Sequence, residues 1–378
     1  MHLNVAAALI LNDEGKVFCV QRGASQTVST SQKWEFPGGK IERGETASQA
    51  AVREVREELN LELSVLGEGP VVNYCYPEFS ITLSSVLCAV ESGEAVLKEH
   101  LASDWCAPDA LMQHDFAAAD QALLVFLRER FFGAHLHSEM MGRASIFLSS
   151  CASTNDEMLQ RAEAGAVEGS LVVTETQTAG RGRLGRTWLS EPGQALLFSL
   201  LVRPLLPAEI AATVPLVAGL AMAQVLRQEL DLDAGLKWPN DILIGDRKVC
   251  GILCEAQTSA EGIEGIIIGI GVNVGAVPES VAYRAIGLKG AIDRMMLLAH
   301  FCERFESVYQ KWCAGGLAAL SEELAAVDCK KGKPISVRQS DSILEGISGG
   351  IRADGALLLE QPDGSCTPIL CGEIAQWE

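Results

Sequence analysis

The sequence predicts a multidomain chain that mixes α/β and α+β architecture, and three observations carry that prediction. A length of 378 residues, 48% apolar and 21% charged, supplies core for two or three globular domains. Helix-like and strand-like runs are interspersed without an internal repeat: helical stretches at 46–59 and 120–132, strand-like runs at 170–175, 195–202, 248–255 and 269–274. The tail, 329–378, is a series of short alternating segments with turns at Gly349-Gly350, Asp354-Gly355 and Asp363-Gly364.

Residues 46–59 contain no Gly or Pro, and Ala51, Val52, Val55 and Leu59 recur at helical spacing, which predicts an amphipathic helix. Glu54, Glu57 and Glu58 stand at i, i+3 and i+4, so three carboxylates share a stripe and repel one another. A hard divalent cation, Mg or Mn, relieves that repulsion with oxygen ligands. Three carboxylates alone fit a solvated acidic face at least as well. The pair Gly38-Gly39, Glu45 and the spacing to Arg53 favour the metal.

Segment 39–61 resembles the Nudix box, within a region covering about residues 1–135. The resemblance implies an α/β/α sandwich that hydrolyses nucleoside diphosphates linked to another group. It also implies that Glu54, Glu57 and Glu58, with the Gly38 carbonyl, hold the metal, and that Arg53 pairs with Glu45. Asn60 replaces the family's glycine near the end of the box, and Asn is the next-best residue for a left-handed helix C-cap. The flanks Trp34-Glu35-Phe36, Lys98-Glu99-His100, Trp105-Cys106-Ala107-Pro108 and Phe116-Ala117-Ala118-Ala119-Asp120 resemble the MutT-like group, especially its cytidine-nucleotide members. By that resemblance Glu57 and Glu99 act in catalysis, Glu99 joining the metal or activating water. Asp120 contacts the base, where a carboxylate accepts from an exocyclic amine. Cytosine or oxidised nucleoside triphosphates are the expected substrates.

The net charge of −19 is shared: residues 1–135 carry 10 basic and 19 acidic side chains, giving −9, and the remainder −10. Neither half offers the positive footprint that DNA binding draws on, so no DNA partner is expected. Twelve cysteines occur without a CxxC pair or a leader-like start, which suits reduced thiols and a cytoplasmic protein. The richest apolar segment, 263–274, is broken by Gly265, Gly269 and Gly271 and is too short to span a bilayer, so no membrane role is expected.

Residues 133–142 have weak periodicity and small polar residues, which suits a linker, placed at 136–145, with His135 and His137 as ordinary members of it. Beyond it lies Gly180-Arg181-Gly182-Arg183-Leu184-Gly185-Arg186. This contains GxGxxG after a strand-like run. A dinucleotide fold requires a helix next, whereas Thr187-Trp188-Leu189-Ser190-Glu191-Pro192-Gly193 and another strand-like run follow. Three arginines on a glycine backbone suit clamping a phosphoryl or carboxylate group; a basic surface turn is the alternative.

Ser153-Thr154-Asn155, that arginine loop, Lys237-Trp238-Pro239-Asn240-Asp241 and the glycine-broken strand ending at Asn273-Val274 together resemble biotin protein ligase over about residues 146–378. The resemblance implies an α+β catalytic domain with a class II synthetase-like mixed sheet, 146–328, and a small SH3-like barrel, 329–378. It implies ATP and biotin as substrates, joined as biotinyl-5′-AMP and passed to a lysine of a biotin carboxyl carrier protein. Arg181 and Arg183 fold over the adenylate with Gly180, Gly182 and Arg186, and Lys237 neutralises the carboxylate or α-phosphate. By the same resemblance Trp188 helps cover adenine, Ser153, Thr154 and Gln177 bind the ureido head, Asn273 lies on the nucleotide side, and Asn155 and Asn240 are further substrate-binding residues. The preferred reading is a bifunctional enzyme. The other readings are a ligase carrying a non-catalytic nucleotide-sensing module and, against the missing helix, a dinucleotide-dependent oxidoreductase.

Overall fold

A computed structural model describes residues 1–25, 27–260, 262–339, 342–361 and 363–375. Within the expected barrel, Ser340, Asp341, Pro362 and 376–378 lie outside the described residues. The chain divides into two compact units, Met1–Phe131 and Phe132–Glu378.

The first unit runs β1 (His2–Leu11), β2 (Val17–Gln21), β3 (Trp34–Glu35), β4 (Gly38–Lys40), α1 (Ala47–Leu59), β5 (Glu62–Cys75), β6 (Ser80–Ser92), β7 (Ala102–Cys106) and into α2 (Gln121–His135). Its strands form one mixed sheet with the path β3-β2-β1-β6-β5, β4 pairing with β1 and β7 with β2. The β1–β6 pair is parallel. Side chains alternate across a strand, and β1 uses both faces. Ala6, Ala8 and Ile10 pack with Ala50, Ala51, Val55 and Leu59 of α1, while Ala7 and Leu9 share a core with Leu123, Leu124 and Leu127 of α2. A helix therefore covers each face.

The ends of α1 are set locally. Thr46 and Gln49 form a reciprocal capping box, and Asn60 adopts φ 58°, ψ 32°, its N–H donating to the Arg56 carbonyl. Asn thus does the work expected of glycine at this cap.

The second unit contains β8 (Ser145–Leu148), α3 (Thr154–Glu163), β9 (Leu171–Thr174), β10 (Ala195–Val202), α4 (Ala208–Ala211), α5 (Val214–Leu230), β11 (Ala234–Lys237), β12 (Asp241–Ile244), β13 (Arg247–Ser259), β14 (Gly262–Asn273), α6 (Arg294–Gly315) and α7 (Ser321–Val327). The sheet order is β11-β12-β13-β14-β10-β9-β8, parallel only between β8 and β9. Along β10, Ser199 and Leu201 face α3, while Phe198 meets Phe301 of α6 with ring centroids 5.2 Å apart. The segment Ala208–Leu230 is long and apolar enough to cross a membrane, a feature that inspection of the sequence passed over. Here its helix is the core of the unit, with Val217, Leu220, Ala221 and Met222 fully buried.

The stretch 136–145 is not a loose linker. Leu136, Ser138 and Met141 are buried, and the Glu306 carboxylate of α6 accepts from the amides of Glu139, Met140 and Met141 at 2.9–3.0 Å. A carboxylate collecting three amides docks this segment onto the second unit, a long-range contact invisible in local composition.

After Gly185 no helix opens: a short 3₁₀ turn, Arg183–Gly185, leads through a loop into β10. The dinucleotide-fold reading fails there. The tail forms an antiparallel sheet of β15 (Pro334–Gln339), β16 (Ser342–Ile351), β17 (Leu357–Glu360), β18 (Cys366–Ile369) and β19 (Glu373–Ile374), in the order β18-β17-β16-β15-β19.

Candidate active sites

In the first unit, the loop from β4 lies against α1. Arg53 donates to both Glu45 oxygens at 2.8 and 3.0 Å and to the Lys40 carbonyl at 3.1 Å. The guanidinium hydrogen bond holds the Glu45 pKa down to about 2. A Cβ on Gly38 would fall 2.0 Å from the Ala6 carbonyl oxygen, and one on Gly39 would fall 2.3 Å from the Glu54 carboxyl carbon. Gly38 therefore requires glycine, because the β1 backbone fills the space, whereas at Gly39 the Glu54 carboxylate would have to move aside.

Glu54 and Glu58 are mostly covered while Glu57 is 60% exposed. Glu58 is pushed up to about 7, first by burial and then by its neighbours Glu54, Glu99 and Glu35, against the pull of His100. Glu99 is exposed on the flank. An all-oxygen donor set of clustered carboxylates fits a hard divalent ion. Sequence reasoning missed two members of this cluster: His100 lies 3.6 Å from Glu35 and 3.8 Å from Glu58. They stood in flanks read for substrate, and nothing local marks them as neighbours of α1.

Asp120 is 6% exposed and accepts from the Phe36 amide at 3.2 Å. Burial, reinforced by Glu35, raises its pKa from 3.8 to about 8, so near neutrality it is a carboxylic acid. The expectation of an acceptor-only carboxylate is corrected: a neutral acid also donates. Its stability contribution has a definite sign. Because the folded pKa is raised, that contribution is present below 3.8 and lost as pH rises through about 8.

In the second unit a cleft partly open to solvent is lined by Ser153, Thr154, Asn155, Gln177, Arg181, Gly182, Arg183, Trp188, Asn240 and Lys248. Its floor is made of glycines. Gly251 pairs with Gly271, and Leu253 with Gly269. A Cβ at Gly269 would fall 2.1 Å from Asn155 Oδ1, and one at Gly271 2.6 Å from the Trp188 ring. The breaks in the apolar strand thus admit Asn155 and Trp188 close to the sheet. Ser199 donates to Asn155 Oδ1 at 2.6 Å and lies 2.7 Å from the Thr154 hydroxyl, and Gln177 accepts from the Thr154 amide at 2.8 Å.

The arginine loop is held by partners in its own unit. Arg181 makes a bidentate pair with Asp156 at 2.9 and 2.7 Å. Arg183 donates to Asn240 Oδ1 at 3.1 Å and the Gly372 carbonyl at 3.4 Å, and Arg186 pairs with Glu373 of β19. Loop, cleft and tail sheet are therefore one hydrogen-bonded assembly.

Lys237 of β11 is 5% exposed, and burial lowers its pKa against the pull of Asp241 and Glu373. Lys248 lines the cleft, with Nζ 2.6 Å from Asp241 and 5.7 Å from the Trp188 ring centroid. Asp241 thus acts on both lysines, of which the sequence reading singled out Lys237 alone. Asn273 is buried beside the cleft and donates to the Lys248 carbonyl at 3.4 Å, so it supports the lysine's backbone. Gly180 stands at the loop entrance, 3.1 Å from Gln177 Nε2 for an added Cβ.

Residues 148–273 match the biotin/lipoate A/B protein ligase family and residues 1–126 the NUDIX domain. The bifunctional ligase/repressor BirA of Bacillus subtilis is 33% identical over 237 residues, 61% of this chain and 73% of that protein. The chain belongs to the biotin/lipoate protein ligase family and carries a NUDIX domain. The 8-oxo-dGTP diphosphatase of Escherichia coli is 33% identical over 126 residues, 33% of this chain and 96% of its own length. Biotin protein ligase from Aquifex aeolicus, solved with biotin and ATP, superposes with a TM-score of 0.54 at 28% identity, covering 62% of this chain and 98% of that one. A relative named both ligase and repressor leaves the exclusion of DNA unsupported, since net charge was its basis.

Proposed function

We propose that the second unit joins biotin to a lysine of a biotin carboxyl carrier protein through biotinyl-5′-AMP, and that the first is a metal-dependent nucleoside triphosphate pyrophosphohydrolase. The cleft carries the ligase reading: polar groups and cations converge there, above strand glycines that seat Asn155 and Trp188 close to the sheet. The biotin carboxylate attacks the α-phosphorus of ATP and pyrophosphate leaves; the acceptor amine then attacks the acyl carbon and AMP leaves. Both steps need cations over growing negative charge and exclusion of water. Lys248 and Arg183 stand where they meet that charge, and Trp188, whose buried indole N–H has no partner among the described groups, covers the ligand. Magnesium bound with ATP supplies further neutralisation at the phosphates. Labelled biotin, ATP and an acceptor domain incubated with the chain should yield labelled acceptor; its absence overturns the reading.

If Arg183 closes over the adenylate, Arg183→Gly should still adenylate biotin but lose the contacts to Asn240 and Gly372 that order the loop. Released biotinyl-5′-AMP, followed by mass spectrometry, should rise roughly tenfold or more, the scale of one charge-assisted hydrogen bond. Retention equal to the parent returns the loop to a basic surface turn.

For the first unit, Glu54, Glu57, Glu58 and the Gly38 carbonyl would hold the ion, with Glu99 on its flank. The ion polarises phosphate and lowers the pKa of bound water. Asp120 reads the base as a neutral acid, so cytosine and oxidised nucleotides both stay candidates. Base discrimination by kcat/KM should persist up to a pH of about 8 and fall above it as Asp120 ionises. Asp120→Asn should keep discrimination across that range, and Asp120→Ala should lose roughly tenfold or more of it. A flat profile in the parent rejects Asp120 as the reader.

We read the first unit as the α/β/α sandwich of its family, the tail sheet as an SH3-like barrel, and the working domain bounds as 1–131, 132–328 and 329–378. A cytoplasmic location accords with biotin ligation.

A further inference from the structure

Away from the carboxylate cluster, four ligand-type side chains of the first unit converge from segments far apart in sequence. Cys19 on β2 and Cys106 on β7 are diagonal neighbours on one face of their ladder, since Val17 pairs with Cys106 and Cys19 with Asp104. Their sulfurs lie 3.5 Å apart. His114, just past the 3₁₀ turn Ala110–Gln113, brings Nε2 to 3.2 Å from Cys106 Sγ and 3.4 Å from Asp104 Oδ2. Both cysteines are buried. Among the described residues, this is the one place where three such ligand atoms lie within 4.8 Å of one another.

We propose that Cys19, Cys106 and His114 form a structural zinc site, with the Asp104 carboxylate beside the imidazole. For tetrahedral zinc, bonds of about 2.3 Å to sulfur and 2.0–2.1 Å to nitrogen imply edges of about 3.8 Å for S–S and 3.6 Å for S–N. The observed 3.5 and 3.2 Å lie within a few tenths of these. Two sulfurs and an imidazole select a borderline-soft ion over magnesium, which separates this site from the all-oxygen cluster. A disulfide is the competing fate, but the sulfurs stand at non-bonded separation and both also face histidine or Asp104.

The ring of His114 is already oriented. It stacks on Trp34 at 3.9 Å, with Phe116 edge-on at 6.4 Å. Trp34 in turn donates to the Asp115 carbonyl and accepts from the Ala117 amide, and its neighbour Phe36 donates to Asp120. Zinc would therefore pin the segment between β7 and α2 that carries Asp120. Its role is structural, because it ties β2, β7 and the segment after β7 together.

The purified full-length chain, washed free of loose metal, should retain about one zinc per chain by inductively coupled plasma mass spectrometry. Cobalt(II) replacing it should give a thiolate-to-cobalt charge-transfer band and intense tetrahedral d–d absorption. Cys19→Ser with Cys106→Ser should lose both signals, and Cys75→Ser, at an exposed position, should lose neither. Because the double variant could misfold, the parent is also alkylated before and after chelation and mapped by mass spectrometry. Cys19 and Cys106 should become reactive only after chelation, whereas exposed Cys75, Cys366 and Cys371 react in both states. Zinc-free parent protein without the cobalt spectrum, zinc retained in the double variant, or alkylation unchanged by chelation overturns the site.

Discussion

Lys248→Ala should slow biotinyl-5′-AMP formation by about 10²- to 10³-fold, the cost of removing one preorganised charge from a developing phosphoryl or carboxylate anion. The residue is suited to be lost without collapse: its side chain is about one-third exposed, and its ion pair with Asp241 sits at the cleft edge. Lys237→Ala is the informative partner. Lys237 is buried in β11 under the charge of Asp241 and Glu373, and as the expected neutralising cation its loss should also suppress adenylate formation. Pyrophosphate release from ATP and biotin without acceptor, alongside thermal melting, scores both variants. Near-parent turnover in either folded variant removes that lysine from the first step.

Glu57→Gln should lower nucleotide hydrolysis by roughly a hundredfold or more, if holding the metal supplies several kcal/mol of the barrier reduction. Glu57 is 60% exposed and meets Arg53 only at 3.4 Å, so the fold has little to lose. Biotin transfer should be unchanged, because the ligase cleft is built wholly from residues 153–271. Hydrolysis is scored by phosphate or pyrophosphate release across a nucleoside triphosphate panel. Full activity in the variant rejects the metal assignment. No activity in the parent favours the sensing module instead.

The local parts of both sites were legible because their geometry depends on short spacings. Carboxylates at i, i+3 and i+4 share a stripe on any helix, and Asn60 tolerates a left-handed cap. The strand-like run after the arginine loop counted against a dinucleotide turn. Glycines 269 and 271 were visible as breaks, though the place they make for Asn155 and Trp188 was not.

What tertiary structure decided are the relations set by strand pairing and helix packing between distant segments. The β12–β13 pairing brings Lys248 to Asp241 at the cleft. Glu306 captures residues 139–141 from more than 160 positions away, turning an expected linker into a docked segment. Asp120 becomes a neutral acid only because burial beside Glu35 outweighs its amide and Arg22 contacts. Cys19 meets Cys106 across 87 residues through the β2–β7 ladder. Residue type and short spacing are written in the chain, so motif chemistry and family resemblance followed from sequence alone. Burial and ligand convergence arise from register and packing, which no local window contains.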